Sequence, residues 1–144
     1  MKARVQWLDG RAFVGESGSG HAVVMDGASE AGGRNIGVRP MEMLLLGLGG
    51  CTAFDVVMIL ERMREKVTAL DVELEAERAS EDPKVFTKVK LIYKLKGYGL
   101  KESSVARAVN LSAEKYCSAS LMIGKTAKIE HSWTIAEEGA PAAA

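Results

Sequence analysis

Cys51 and Cys117 are the only cysteines of the chain and stand 66 positions apart. Cys51 closes a glycine-rich apolar run, Pro40-Met41-Glu42-Met43-Leu44-Leu45-Leu46-Gly47-Leu48-Gly49-Gly50. Cys117 follows Leu111-Ser112-Ala113-Glu114-Lys115-Tyr116. Two isolated thiols in a small chain without secretory features suggest reaction chemistry before structural stapling. The plainer reading of Cys51 is a small apolar residue on a buried helix, a common place for free cysteine. Which applies depends on whether the two thiols meet in space.

Other groups bear on that chemistry. Asp55 stands one helical turn beyond Cys51 on the same face, where its charge would oppose a thiolate. A reactive Cys51 therefore calls for a cation, and Arg11, Arg34 and Arg39 are the candidates; otherwise Asp55 caps or pairs elsewhere. Cys51, Cys117, His21 and His131 would make a Cys2His2 zinc set, but they are scattered singly without a CxxC or HxxxH spacing. His21 at a turn and His131 on a strand read as ordinary surface residues. Glu42 falls in the first turn of a helix opened by Pro40, where a carboxylate suits the dipole. There is no nucleotide loop, no Ser-His-Asp arrangement and no aromatic-basic interleaving.

The elements that must position the cysteines follow from periodicity. Residues 3–9, 12–16 and 21–25 read as a three-strand meander punctuated by Asp9-Gly10 and Asp26-Gly27. A polar loop follows over 28–38. A helix is expected from Pro40 to about Lys66, apolar nearly all round and central in the fold, with Leu44, Leu48, Cys51, Asp55, Met58 and Arg62 as its buried stripe and Leu45, Thr52, Val56 and Ile59 beside it. Gly47, Gly49 and Gly50 cost roughly 1 kcal/mol each in a helix and so require a closely packed partner; the second helix is one candidate. Strands at 67–79 and 85–97 alternate cleanly, the first acidic and the second lysine-rich on the polar face, which predicts an antiparallel hairpin with one wet face. A second helix is expected over about 101–121, capped by Ser103 or Ser104, with Cys117 on the stripe of Ala113, Ser120 and Gly124. A last strand spans 127–135. The order β-β-β-α-β-β-α-β predicts an α+β fold.

At 144 residues, with 47% hydrophobic and 26% charged residues, the chain reads as one globular domain over 1–136 with a flexible tail over 137–144. A formal net charge of zero gives no electrostatic footprint for nucleic acid. The start lacks the apolar core of a signal peptide. The longest charge-free apolar run, Met43 to Phe54, is 12 residues, against roughly 20 needed to span a bilayer. The expected compartment is the cytosol, with neither a membrane nor a nucleic acid as partner.

Several stretches stand out together: Val14-Gly15-Glu16-Ser17 with Gly20-His21, Met25-Asp26-Gly27, Pro40-Met41-Glu42-Met43, Gly49-Gly50-Cys51, Asp55-Val56-Val57, and Val105 to Val109 with Leu111 to Ser118. In these stretches the chain resembles the OsmC/Ohr family of thiol-dependent peroxidases, and within it the YhfA-like branch. The resemblance covers nearly the whole chain. It implies an OsmC-like α+β fold: an intertwined homodimer in which sheets wrap two long central helices, with two active sites at the subunit interface. It also implies catalytic roles for Cys51 and Cys117. Cys51 would attack an organic hydroperoxide, and Cys117 would resolve the sulfenic acid as a disulfide. An external dithiol would reduce that disulfide, with no cofactor and no metal. In active members of the family a Glu directly follows the helix-opening Pro and pairs with an Arg from the N-terminal strands. Here Met41 follows Pro40, and Glu42 comes one position later, about 100° around a helix; Arg11 is the residue that could stand for the arginine. Met41 favours two other readings of the same scaffold. One is a non-catalytic thiol redox sensor or small apolar ligand carrier; the other is a structural dimer whose cysteines only pack.

Overall fold

The computed structural model describes residues 1–139. The chain forms two compact units, Met1–Leu46 and one that begins at Gly47. The first holds the meander β1 (Ala3–Asp9), β2 (Ala12–Ser17) and β3 (Ala22–Met25), paired antiparallel in that order. The loop after it is built around Asp26. This buried carboxylate accepts backbone N–H groups of Gly27 (2.7 Å), Arg34 (3.0 Å) and Ile36 (3.4 Å). Burial alone would raise its pKa, but the three N–H donors outweigh that and hold it below the usual carboxylate value.

Helix α1 (Pro40–Arg62) starts in the first unit and continues into the second. By length and composition it could cross a bilayer. Beyond Leu46, however, Leu48, Gly49, Thr52, Asp55, Val56, Ile59 and Leu60 are buried. The buried stripe is therefore rotated toward the expected flank of Thr52, Val56 and Ile59: Arg62 and Leu44 are exposed, and Phe54 is 72% exposed. The helix is central on one side only. It stops four residues short of Lys66 because Arg64 takes a left-handed conformation at φ 62°. The Arg64 N–H then bonds the Glu61 carbonyl and the Glu65 N–H bonds the Leu60 carbonyl, which is a Schellman ending.

The second unit is organised on the sheet β4 (Lys66–Arg78), β5 (Phe86–Tyr98) and β6 (Lys128–Glu137). β4 and β5 pair antiparallel as their charge pattern predicted, with Asp71 opposite Lys94 and Glu75 opposite Lys90. Their ion pairs are partly diagonal, since Lys94 binds Glu73 and Lys88 reaches Glu130 of β6. Val89, Leu91, Tyr93 and Leu95 of β5 form the buried face. β5 and β6 run parallel, which requires a crossover. Residues 102–123 supply it.

That crossover is not the single helix the periodicity suggested. It comprises α2 (Glu102–Leu111), a wide π turn (Ser112–Tyr116), a break at Cys117 and α3 (Ser118–Ile123). Cys117 is extended (ψ 99°) and caps α3, so it does not share a helical stripe with Ala113. Neither Ser103 nor Ser104 is the cap of α2; Lys101 occupies that position, and the Ser104 hydroxyl donates to Glu65 at 2.6 Å. At the C-terminal end, Glu137 closes β6. Glu138 is held by Lys96 (2.9 Å) and the Thr68 hydroxyl (2.7 Å). Of the tail expected over 137–144, residues 140–144 lie outside the described residues.

Candidate functional site

The two cysteines meet. Their sulfurs and a carboxylate oxygen of Asp55 lie within 4.8 Å of one another, and both thiols are free. α1 supplies Cys51 and Asp55 from adjacent turns, while the break between the π turn and α3 supplies Cys117. The break matters for placement. A continuous helix would send residue 117 along its own axis, whereas the extended backbone at Cys117 makes it a helix cap with its side chain turned inward. Cys51 is half-buried and Cys117 fully buried. Burial raises the Cys117 thiol pKa. The Ser120 hydroxyl and backbone N–H oppose the rise, the N–H donating to Sγ at 3.4 Å, and neighbouring Cys51 adds to it.

A buried polar chain leads away from this centre. Ser112 Oγ donates to Asp55 Oδ2 at 3.1 Å. Thr52 Oγ1 shares hydrogen bonds with Ser112 Oγ (3.0 Å) and Tyr93 Oη (2.8 Å). Tyr93 Oη meets His131 Nδ1 at 3.0 Å, and the two rings stack at 5.9 Å. Tyr93 is pushed up to about 12, chiefly by burial, against the Thr52 hydrogen bond. Burial lowers the His131 pKa. His131 is therefore no ordinary surface residue, although His21 is exposed and bonds Ser19. His131 Nδ1 bonds Tyr93, and the cluster of possible metal ligands among the described residues is Cys51, Asp55 and Cys117, not the Cys2His2 set the sequence allowed.

Periodicity placed Asp55 beside Cys51 and Ser120 on the stripe of Cys117. It gave Thr52, Ser112 and Tyr93 no part in the site. The signal available was a run of small polar residues at buried positions of elements otherwise apolar.

The remaining expected residues lie in the first unit. Glu42 accepts the Arg39 backbone N–H at 2.9 Å, which is the reach-back of a capping box onto the residue before Pro40. Arg39 itself donates to Asn35 (2.7 Å) and to the Gly37 carbonyl (3.1 Å). Arg34 is paired with Asp9. Arg11 is exposed in the β1–β2 turn.

Of the three α1 glycines, one has the expected reason. A Cβ on Gly49 would meet Leu74 Cδ1 of β4 at 2.8 Å, so the close partner is a strand side chain and not the second helix. Gly47 and Gly50 have nothing within 4 Å. Beside Gly50 a cleft of about 510 Å³ is lined by Ala53, Phe54, Val57, Met58, Glu61 and Leu70.

Comparison with known proteins matches this architecture. A family model described as OsmC-like protein covers residues 32–132. Protein YhfA of Escherichia coli strain K12 is 47% identical over 135 residues, spanning 94% of this chain and 98% of its own. A crystal structure of a hypothetical protein from Aquifex aeolicus VF5 superposes with a TM-score of 0.84 at 26% identity, covering 96% of this chain and 97% of that one. An organic hydroperoxide resistance protein OsmC from Legionella pneumophila shares the fold, with a TM-score of 0.69 at 16% identity over 92% of this chain and 95% of that one. The chain belongs to the OsmC-like family.

Proposed function

We propose that the chain is a cytosolic, homodimeric cysteine peroxidase that reduces organic hydroperoxides in oxidative-stress defence. The observation that carries this reading is the pair of free sulfurs within 4.8 Å, one half-buried and one fully buried. Cys51, the more accessible, attacks a peroxide oxygen as thiolate. The O–O bond breaks, the alcohol leaves with a proton, and Cys51 becomes a sulfenic acid. Cys117 then attacks the Cys51 sulfur, water leaves, and a disulfide forms. An external dithiol restores both thiols by exchange. The raised Cys117 pKa suits the second role, because a thiol kept protonated competes less for the peroxide.

The exposed side of α1 supports a dimer. Gly47 and Gly50 leave room for close approach, and Phe54 is an apolar side chain with no cover. The test is steady-state consumption of cumene hydroperoxide with a dithiol reductant. Fast turnover is expected in the wild type, none in Cys51→Ser, and at most a single turnover in Cys117→Ser. Equal, negligible rates in all three would sink the peroxidase.

One observation favours a second reading, a non-catalytic thiol redox sensor or carrier of a small apolar ligand. Met41 occupies the position after Pro40, and Glu42 already serves the helix cap. That reading expects slow oxidation without turnover.

A further inference from the structure

We propose that the reduced protein binds one Zn2+ per chain through Cys51 Sγ, Asp55 and Cys117 Sγ. Among the described residues this is the one cluster of three such ligand atoms. Two thiolates and a carboxylate around one point suit a borderline-soft, tetrahedral cation, and three protein ligands leave its fourth position open.

Two features around the cluster are those a metal site needs. Ser112 Oγ donates to Asp55 Oδ2 at 3.1 Å, which orients the carboxylate as an outer-shell partner does. Ser112 is itself held by Thr52 at 3.0 Å, so the orientation is braced by the buried polar chain. The second feature is Ser120, whose backbone N–H donates to Cys117 Sγ at 3.4 Å, an outer-shell hydrogen bond to a ligand sulfur. Half-buried Cys51 provides the way in.

Both sulfurs are consumed as ligands, so the metal and a Cys51–Cys117 disulfide are alternative states of one site. The inference does not rest on hydroperoxide turnover, and its test contains no peroxide. Reduced full-length protein is titrated with Zn2+ against a chromophoric chelator, and separately with Co2+. One equivalent per chain is expected, with the thiolate-to-cobalt charge-transfer band and intense visible bands of a tetrahedral site. Asp55→Asn keeps the side chain's shape but should lose the tetrahedral spectrum. Ser112→Ala should weaken Zn2+ binding about 10- to 100-fold. Oxidation with diamide removes the two thiol hydrogens and closes the disulfide; it should abolish uptake, and dithiol reduction should restore it. Circular dichroism of each variant separates loss of the site from loss of the fold. Absence of stoichiometric binding, an octahedral cobalt spectrum, or equal affinity in folded Asp55→Asn would each overturn the proposal.

Discussion

At the scale of single residues, the two thiols differ in environment although their sulfurs lie within 4.8 Å. Cys51 is half-buried on α1, while Cys117 is sealed and its pKa is raised by burial. Since alkylation needs both access and thiolate, N-ethylmaleimide at neutral pH should label Cys51 first and leave Cys117 until the protein is denatured. Mass spectrometry of quenched time points reads this directly, and equal labelling would contradict the burial difference. His131 carries a second residue-scale consequence. Burial lowers its folded pKa below the ordinary 6.5. Below about pH 6.5 the unfolded chain takes up a proton that the folded chain resists, so stability present above that pH is lost as pH falls. The urea midpoint of the wild type should drop between about pH 7 and pH 5.5, and His131→Gln should flatten that part of the curve. An unchanged slope in the variant would assign the loss to other groups.

At the scale of elements, two glycines have opposite tolerance. A Cβ on Gly97 of β5 would meet the Lys66 carbonyl at 2.2 Å and Leu100 at 2.9 Å, and backbone cannot step aside cheaply. Gly97→Ala is expected to destabilise by about 1–3 kcal/mol in denaturant unfolding. Gly49→Ala meets only Leu74 Cδ1, the far end of a flexible side chain. The gain in helix propensity, about 1 kcal/mol, offsets part of that clash, so its net change should be well below that of Gly97→Ala. The same elements show what periodicity read well. Strict alternation gave the acidic and lysine-rich strands of β4 and β5, because period two is a local property of extended chain. It did not show the break at Cys117. Residues 111–117 carry no Gly or Pro, and the π turn answers to packing around Ser112 rather than to local propensity.

At the scale of the whole molecule, α1 leaves Phe54 and Leu46 uncovered, and β1 leaves Trp7 64% exposed. A single chain seldom tolerates so much exposed apolar surface on long elements. Light scattering after size exclusion should give a dimer, and Phe54→Glu should shift it toward monomer at micromolar concentration. A wild-type monomer would remove the homodimer from the proposed function.

Residue order alone determined the meander, the hairpin and most element types, since each follows from spacing, turn residues or composition within a few tens of positions. It also carried the family resemblance that the comparisons bear out. Only the tertiary structure decided which face of α1 is buried, that Leu74 and not a helix approaches Gly49, and that Asp55 joins both sulfurs while Ser112, Thr52, Tyr93 and His131 line up behind it. The physical reason is that α1 is apolar nearly all round. Its periodicity could not choose an inward side, and contacts from β5 and the broken crossover, some 40 to 60 residues away in sequence, made that choice.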